Sequence, residues 1–166
     1  MPDGSATGIG VSVKRKEDYR FLVGEGNYTD DINRPNQTYS YMFRSDTAHA
    51  NFKIDVKNAS NAKGVVKIFV GTDMEVGGIS CGWQVDSKDG TPMREPAHPP
   101  IAKDKVRYVG EILAVIIAES IEEAKNAAEL IEVSLDEKPV VINMQDALDS
   151  SKGLVHDEIE TNICYD

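Results

Sequence analysis

The chain has 166 residues, enough for one domain that buries roughly 70% of its unfolded surface. Hydrophobic residues at 40% and charged residues at 28% argue against intrinsic disorder. Eighteen basic against 28 acidic residues leave a formal charge of −10, which disfavours nucleic acid and anionic membranes as partners.

Residues 1 to 16, rich in Gly, Ser and basic side chains, read as an N-terminal arm that docks, followed by one domain over 17 to 166. Gly24, Gly26, Asn27, Asp30, Asp31, Asn33, Pro35 and Asn36 then predict successive turns up to Gln37. Aromatics and Met42 predict a strand from Thr38 to Arg44. Ala48, Ala50, Phe52, Ile54 and Val56 alternate with the period of a half-buried strand. Ser45, Asp46 and Thr47 join these two strands. Lys57 to Lys63 suits a helical turn, and Val65 to Val70 a third strand closed by Gly71.

From 71 to 104 the chain holds Gly71, Gly77, Gly78, Gly82, Gly90, Pro92, Pro96, Pro99 and Pro100, so little regular structure is expected there. Loops of this length in compact domains are uncommon unless functional. Val106, Tyr108 and then Ile112 to Ala118 read as strands, the second apolar on both faces and hence central in its sheet. Ser120 and Glu123 have capping-box spacing. They open the main helix, over about 121 to 132, whose Ile121, Ala124, Ala128 and Ile131 share a face. A strand at Val133 and Leu135, an extended segment from Pro139 to Ile142 and a short helix from Met144 to Leu148 follow. This order of elements predicts an α/β or mixed α+β domain.

No local constellation defines a catalytic site. His49 lies in an alternating strand, His98 in a Pro-rich loop and His156 beside Asp157 in a C-terminal loop, and none has a defining sequence-local partner. The His156–Asp157 pair permits a small hydrolase reading, although adjacent residues seldom face each other as acyl-transfer groups do. Cys81 and Cys164 have no metal-ligand spacing. Gly8-Ile9-Gly10 and Gly24-Glu25-Gly26 lack the strand-to-helix context of a phosphate loop and read as turn glycines. Trp83, the single tryptophan, sits in the long loop beside Cys81 and Gly82, either pinning the loop or offering a binding element. The longest apolar run, Ile112 to Ala118, falls short of the about 20 residues of a membrane span. No secretory signal is evident in the first ten residues, so a cytoplasmic location is expected.

Several strings, in order, resemble the start of the large molybdopterin-binding subunit of the aerobic carbon monoxide dehydrogenase, xanthine dehydrogenase and aldehyde oxidase family. They are Val13-Lys14-Arg15-Lys16-Glu17-Asp18, Arg20-Phe21-Leu22-Val23-Gly24-Glu25-Gly26-Asn27-Tyr28-Thr29-Asp30-Asp31-Ile32 and Ala48-His49-Ala50. Later come Lys105-Val106-Arg107-Tyr108-Val109-Gly110-Glu111 and Ala124-Lys125-Asn126-Ala127-Ala128-Glu129-Leu130-Ile131. Asp46 and Ile112 stand where the family often has proline, which leaves the geometry of the Ser45 turn open.

The resemblance implies an α/β hammerhead with a mixed sheet and long Gly/Pro-rich loops, and a structural role without catalytic residues of its own. It implies that the loop over 76 to 90, with Cys81, Gly82 and Trp83, approaches the mouth of a substrate channel. The molybdopterin cytosine dinucleotide-type molybdenum cofactor would bind the later domains of the large subunit, and this chain alone would bind no cofactor or metal. FAD and [2Fe-2S] centres would reside in a flavin-binding medium and an iron–sulfur small subunit. The small-molecule substrate, whether carbon monoxide, a purine, an aldehyde or an N-heterocycle, is not set by these residues. A stand-alone binding or interaction module using the Gly/Pro-rich loop is the alternative.

Overall fold

The computed structural model describes residues 8–10, 15–75 and 77–166. Most of the arm expected over 1 to 16, and Val76 of the expected channel loop, lie outside the described residues. The chain divides into two units, Met1–Gln37 and Thr38–Asp166. In the first, a one-turn helix α1 spans Asp18–Leu22, with Arg20 ion-paired to Glu17 at 2.8 Å. Phe21 packs its ring 5.4 Å from that of Tyr28.

The second unit is mixed α and β. Its strands are β1 (Tyr39–Arg44), β2 (Ala50–Asp55), β3 (Val65–Val70), β4 (Lys105–Val106), β5 (Ile112–Ala118) and β6 (Glu132–Glu137). Its helices are α2 (Lys57–Ser60), α3 (Ile121–Ala128) and α4 (Met144–Ala147). The mixed sheet expected from the sequence is instead two antiparallel three-stranded sheets, ordered β1-β5-β3 and β4-β2-β6. The apolar strand β5 is central in the first, as its two-sided hydrophobicity requires.

β1 and β2 do not pair with each other. Between them Ser45 is buried, donating its N–H to the Glu111 carbonyl at 2.9 Å and accepting from Gly110 N–H at 2.8 Å. Its Oγ accepts from Thr47 N–H at 3.0 Å, so the turn is closed without the proline. The backbone thereby leaves one sheet and enters the other. β1 lies against β5, and β2 runs beside β6 with Ala50 opposite Glu137 and Asp55 opposite Glu132.

The main core joins α3 to the first sheet. Ala124, Ala127 and Ala128 meet Ile68, Ala114, Ile116 and Ala118, and the alanines let the helix axis approach the strands. Ile116 is fully buried, worth roughly 1.5–3 kcal/mol of apolar transfer. α3 ends at Ala128 rather than near 132, because residue 132 already opens β6 opposite Asp55. Ile131 still packs against the core. A second cluster of Phe52, Ala102, Val106 and Leu113 binds the second sheet to β5. Gly71 is needed here: a Cβ there would stand 2.2 Å from the Ala102 carbonyl oxygen.

Candidate functional site

The segment from Gly77 to Pro100 contains no helix or named strand, yet it is ordered by its own hydrogen bonds. At its base Ile79 N–H donates to the His98 carbonyl at 2.7 Å. Gly78 sits at φ +150°, where a Cβ would lie 2.7 Å from His98 N. Further out, Met93 N–H donates to Val85 O at 3.0 Å and Ser87 N–H to Thr91 O at 2.8 Å, making a small hairpin. Asp89 accepts from the hydroxyl and the amide of Thr91, and these bonds hold its carboxyl below the usual range. The C-terminal tail flanks the hairpin, with Arg94 N–H donating to Cys164 O at 2.8 Å and Lys88 N–H to Asp166 O at 2.7 Å.

Cys81, Gly82 and Trp83 form the tip between these ties. Trp83 is 79% exposed, so it does not pin the loop to its own unit. The Cys81 thiol donates to the Trp83 carbonyl at 3.0 Å, and a Cβ on Gly82 would meet nothing within 4 Å. The tip is held by Glu95, whose carboxylate accepts from Cys81 N–H on one oxygen and from the Gln84 side-chain amide on the other. Sequence reasoning missed Glu95, since nothing local marks a carboxylate 14 residues from its partner. The arrangement presents an exposed indole on a hydrogen-bonded loop, with the Cys81 thiol turned back on the Trp83 carbonyl.

The three histidines do not converge. His98 stacks on Tyr108, with ring centroids 6.1 Å apart and planes 8° from parallel. His49 is buried and donates from Nδ1 to the Pro139 carbonyl at 2.6 Å, a structural role, while its Nε2 is buried without a partner. His156 Nδ1 lies 3.3 Å from Glu158 and not against Asp157, whose carboxylate takes Lys105 Nζ at 2.5 Å. The acyl-transfer pair considered from the sequence is therefore not formed.

Among the described residues no group of three His, Cys, Asp or Glu side chains is arranged to hold a metal. Cys81 and Cys164, both exposed and unbridged, each point their sulfur at a backbone carbonyl.

A family model described as "Aldehyde oxidase and xanthine dehydrogenase, a/b hammerhead domain" matches residues 23–139. The chain is 36% identical over 138 residues to the nicotine 6-hydroxylase large subunit of Paenarthrobacter nicotinovorans, covering 81% of this chain and 16% of that protein. It is 28% identical over 154 residues to the carbon monoxide dehydrogenase large chain of Afipia carboxidovorans, covering 92% and 18%. Among solved structures, quinoline 2-oxidoreductase from Pseudomonas putida 86 superposes with a TM-score of 0.76 at 36% identity, over 84% of this chain and 18% of that one. The chain thus spans less than a fifth of the length of these relatives.

Proposed function

The chain belongs to the aldehyde oxidase and xanthine dehydrogenase a/b hammerhead family, and from that premise we propose that it serves as the N-terminal structural and substrate-channel domain of a molybdenum hydroxylase large subunit. The observation that carries the channel role is the ordered loop whose Cys81–Trp83 tip, held through Glu95, turns its indole to solvent. An aromatic that nothing in its own unit covers, on a loop fixed at both sides, is built to contact something else.

In this reading the remaining domains of the large subunit hold a molybdopterin cytosine dinucleotide-type cofactor, which supplies the redox chemistry. FAD and [2Fe-2S] centres sit in a flavin-binding medium subunit and an iron–sulfur small subunit. Relatives named as a large subunit, a large chain and a subunit gamma support such an assembly. This chain's share is to shape the approach of a small-molecule substrate, without turnover of its own. The reading includes a cytoplasmic location; among the described residues no helix is long and apolar enough to cross a membrane.

The test is Trp83→Ala in the assembled enzyme, assayed against carbon monoxide, a purine, an aldehyde and an N-heterocycle. For the substrate it accepts, kcat/KM should fall by about tenfold, mainly through KM, as expected when a contact outside the reacting centre is removed. Unchanged kcat/KM in a fully loaded enzyme sinks the channel role. Stoichiometric molybdenum on the purified 166-residue chain, with dye-coupled turnover, sinks the structural one.

A further inference from the structure

Arg107, immediately after β4, stands apart from the other cations near it. Lys105 is paired with Asp157, and Glu158 with His156, at 2.5 and 3.3 Å. Among the described residues Arg107 enters no ion pair, and its Nε is buried without a hydrogen-bond partner. A buried guanidinium N–H without an acceptor is a costly arrangement to keep.

The Asp157 and Glu158 carboxylates feel the charge of Arg107 but are bonded to Lys105 and His156, and the pocket beside it is walled mainly by aliphatic side chains. Arg107 and His49 line a pocket of about 200 Å³ walled by Val109, Val140, Ile142 and Val155. The rim is open: Val109 and Val140 are exposed and Ile142 is 87% exposed. Met144 and Leu148, which follow in sequence, are exposed as well. The geometry behind the pocket is firm. Lys138 N–H donates to His49 O at 2.9 Å while His49 Nδ1 donates to Pro139 O, stapling the start of the 139–142 segment to the entry of β2. On the other side, Arg107 N–H donates to the buried carboxylate of Glu111 at 2.6 Å.

We propose that this pocket is where the remainder of the large subunit docks on the domain, an acidic side chain of that polypeptide entering to meet Arg107 while its apolar neighbours cover Val109, Val140 and Ile142. The inference rests on the large-subunit reading above. Charge complementarity names the entering group, because a carboxylate is the planar acceptor that a guanidinium takes in bidentate fashion. The apolar rim argues for a polypeptide, since a small free anion would leave valine and isoleucine side chains in water. A second copy is disfavoured by the −10 charge each would carry. The relatives extend well beyond the matched stretch, which is less than a fifth of their length, so the large-subunit reading has polypeptide to fill this role.

Hydrogen exchange on the assembled enzyme, followed by mass spectrometry, tests this. Peptides over 107–109 and 139–148 should exchange at least tenfold more slowly than unstructured peptide, and Arg107→Gln should speed both by about tenfold. β5 amides should stay protected in that variant, which separates local undocking from misfolding. A second variant, Ile142→Asp, should release the same peptides. Free exchange of these segments in the wild-type enzyme overturns the proposal. So does slowing of exchange at 107–109 by added acetate or phosphate, which would show a pocket open to solvent. A large subunit that carries no molybdenum by metal analysis defeats the large-subunit reading instead, whatever the exchange pattern.

Discussion

The ammonium of Lys105, only 7% exposed within β4, lies 2.5 Å from the carboxylate of Asp157, whose side chain is 76% exposed. The bond ties the C-terminal segment to the second sheet from a residue 52 positions earlier. The Lys105 bond, more than any other influence, holds the Asp157 carboxyl below its ordinary value of 3.8. Asp157→Asn should therefore leave a buried cation with only a neutral partner and cost about 1–2 kcal/mol. That is less than for a fully buried pair, because water screens the carboxylate side.

The same pair sets a pH signature. A carboxyl whose folded value is depressed contributes stability that is fully present above its unfolded value and is lost as pH falls through the folded one. The gap in urea midpoint between the wild-type chain and Asp157→Asn should be constant above about pH 5 and close below 3.8. A gap that persists undiminished at pH 2 would assign the loss to packing rather than to this charge.

Elements with strong local signals are legible in the sequence alone. β5 was marked as central by seven apolar residues in a row, and Ser120 was marked as a cap by its spacing to Glu123. Pairing was not legible, because which strand lies beside which depends on Ser45 bonding to Gly110 and Glu111, more than 60 residues away. The same limit hid Glu95 and Arg107. Each draws its meaning from distant neighbours, a loop tip in one case and an apolar rim in the other, and neither leaves a periodic trace. The cap also differs in detail from the sequence expectation: Ser120 Oγ accepts from Glu123 N–H at 3.2 Å, but the Glu123 carboxylate accepts from that hydroxyl at 3.1 Å rather than from the Ser120 amide.

That cap yields a direct test. Ser120→Ala removes the acceptor for the Glu123 amide and should destabilise the chain by about 1 kcal/mol, whereas Ser120→Asp should restore most of it. Equal urea midpoints for all three chains would show that packing of the alanine face alone sets where α3 begins.

The core makes a larger demand. Ile116 is fully buried between α3 and the strands flanking β5, where the neighbouring alanines have no side-chain length with which to fill a void. Ile116→Ala should cost about 3–5 kcal/mol, toward the upper end for this truncation because the site collapses poorly. Ile116→Val should cost about 1 kcal/mol. Similar midpoints for the two variants would mean that the helix shifts inward to close the gap.

Glu95 decides whether the loop presents Trp83 or merely carries it. Its two oxygens take Cys81 N–H and the Gln84 amide, one on each side of the Gly82-Trp83 tip, so the carboxylate closes the tip into a ring without a covalent link. Both bonds lie at the surface, and Glu95→Ala should change the global unfolding midpoint by less than about 0.5 kcal/mol. The local effect should be larger. Trp83 is the single tryptophan, so its fluorescence reports the tip alone, and its steady-state anisotropy should fall once the carboxylate is gone. Glu95→Gln keeps one acceptor oxygen and should fall in between. Under the proposed channel role, the same series in the assembled enzyme should raise KM in parallel with the loss of anisotropy while kcat holds, because a loose tip would weaken substrate approach without touching the reacting centre. An anisotropy that drops while KM stays constant would separate the ordering of the loop from its use in the channel.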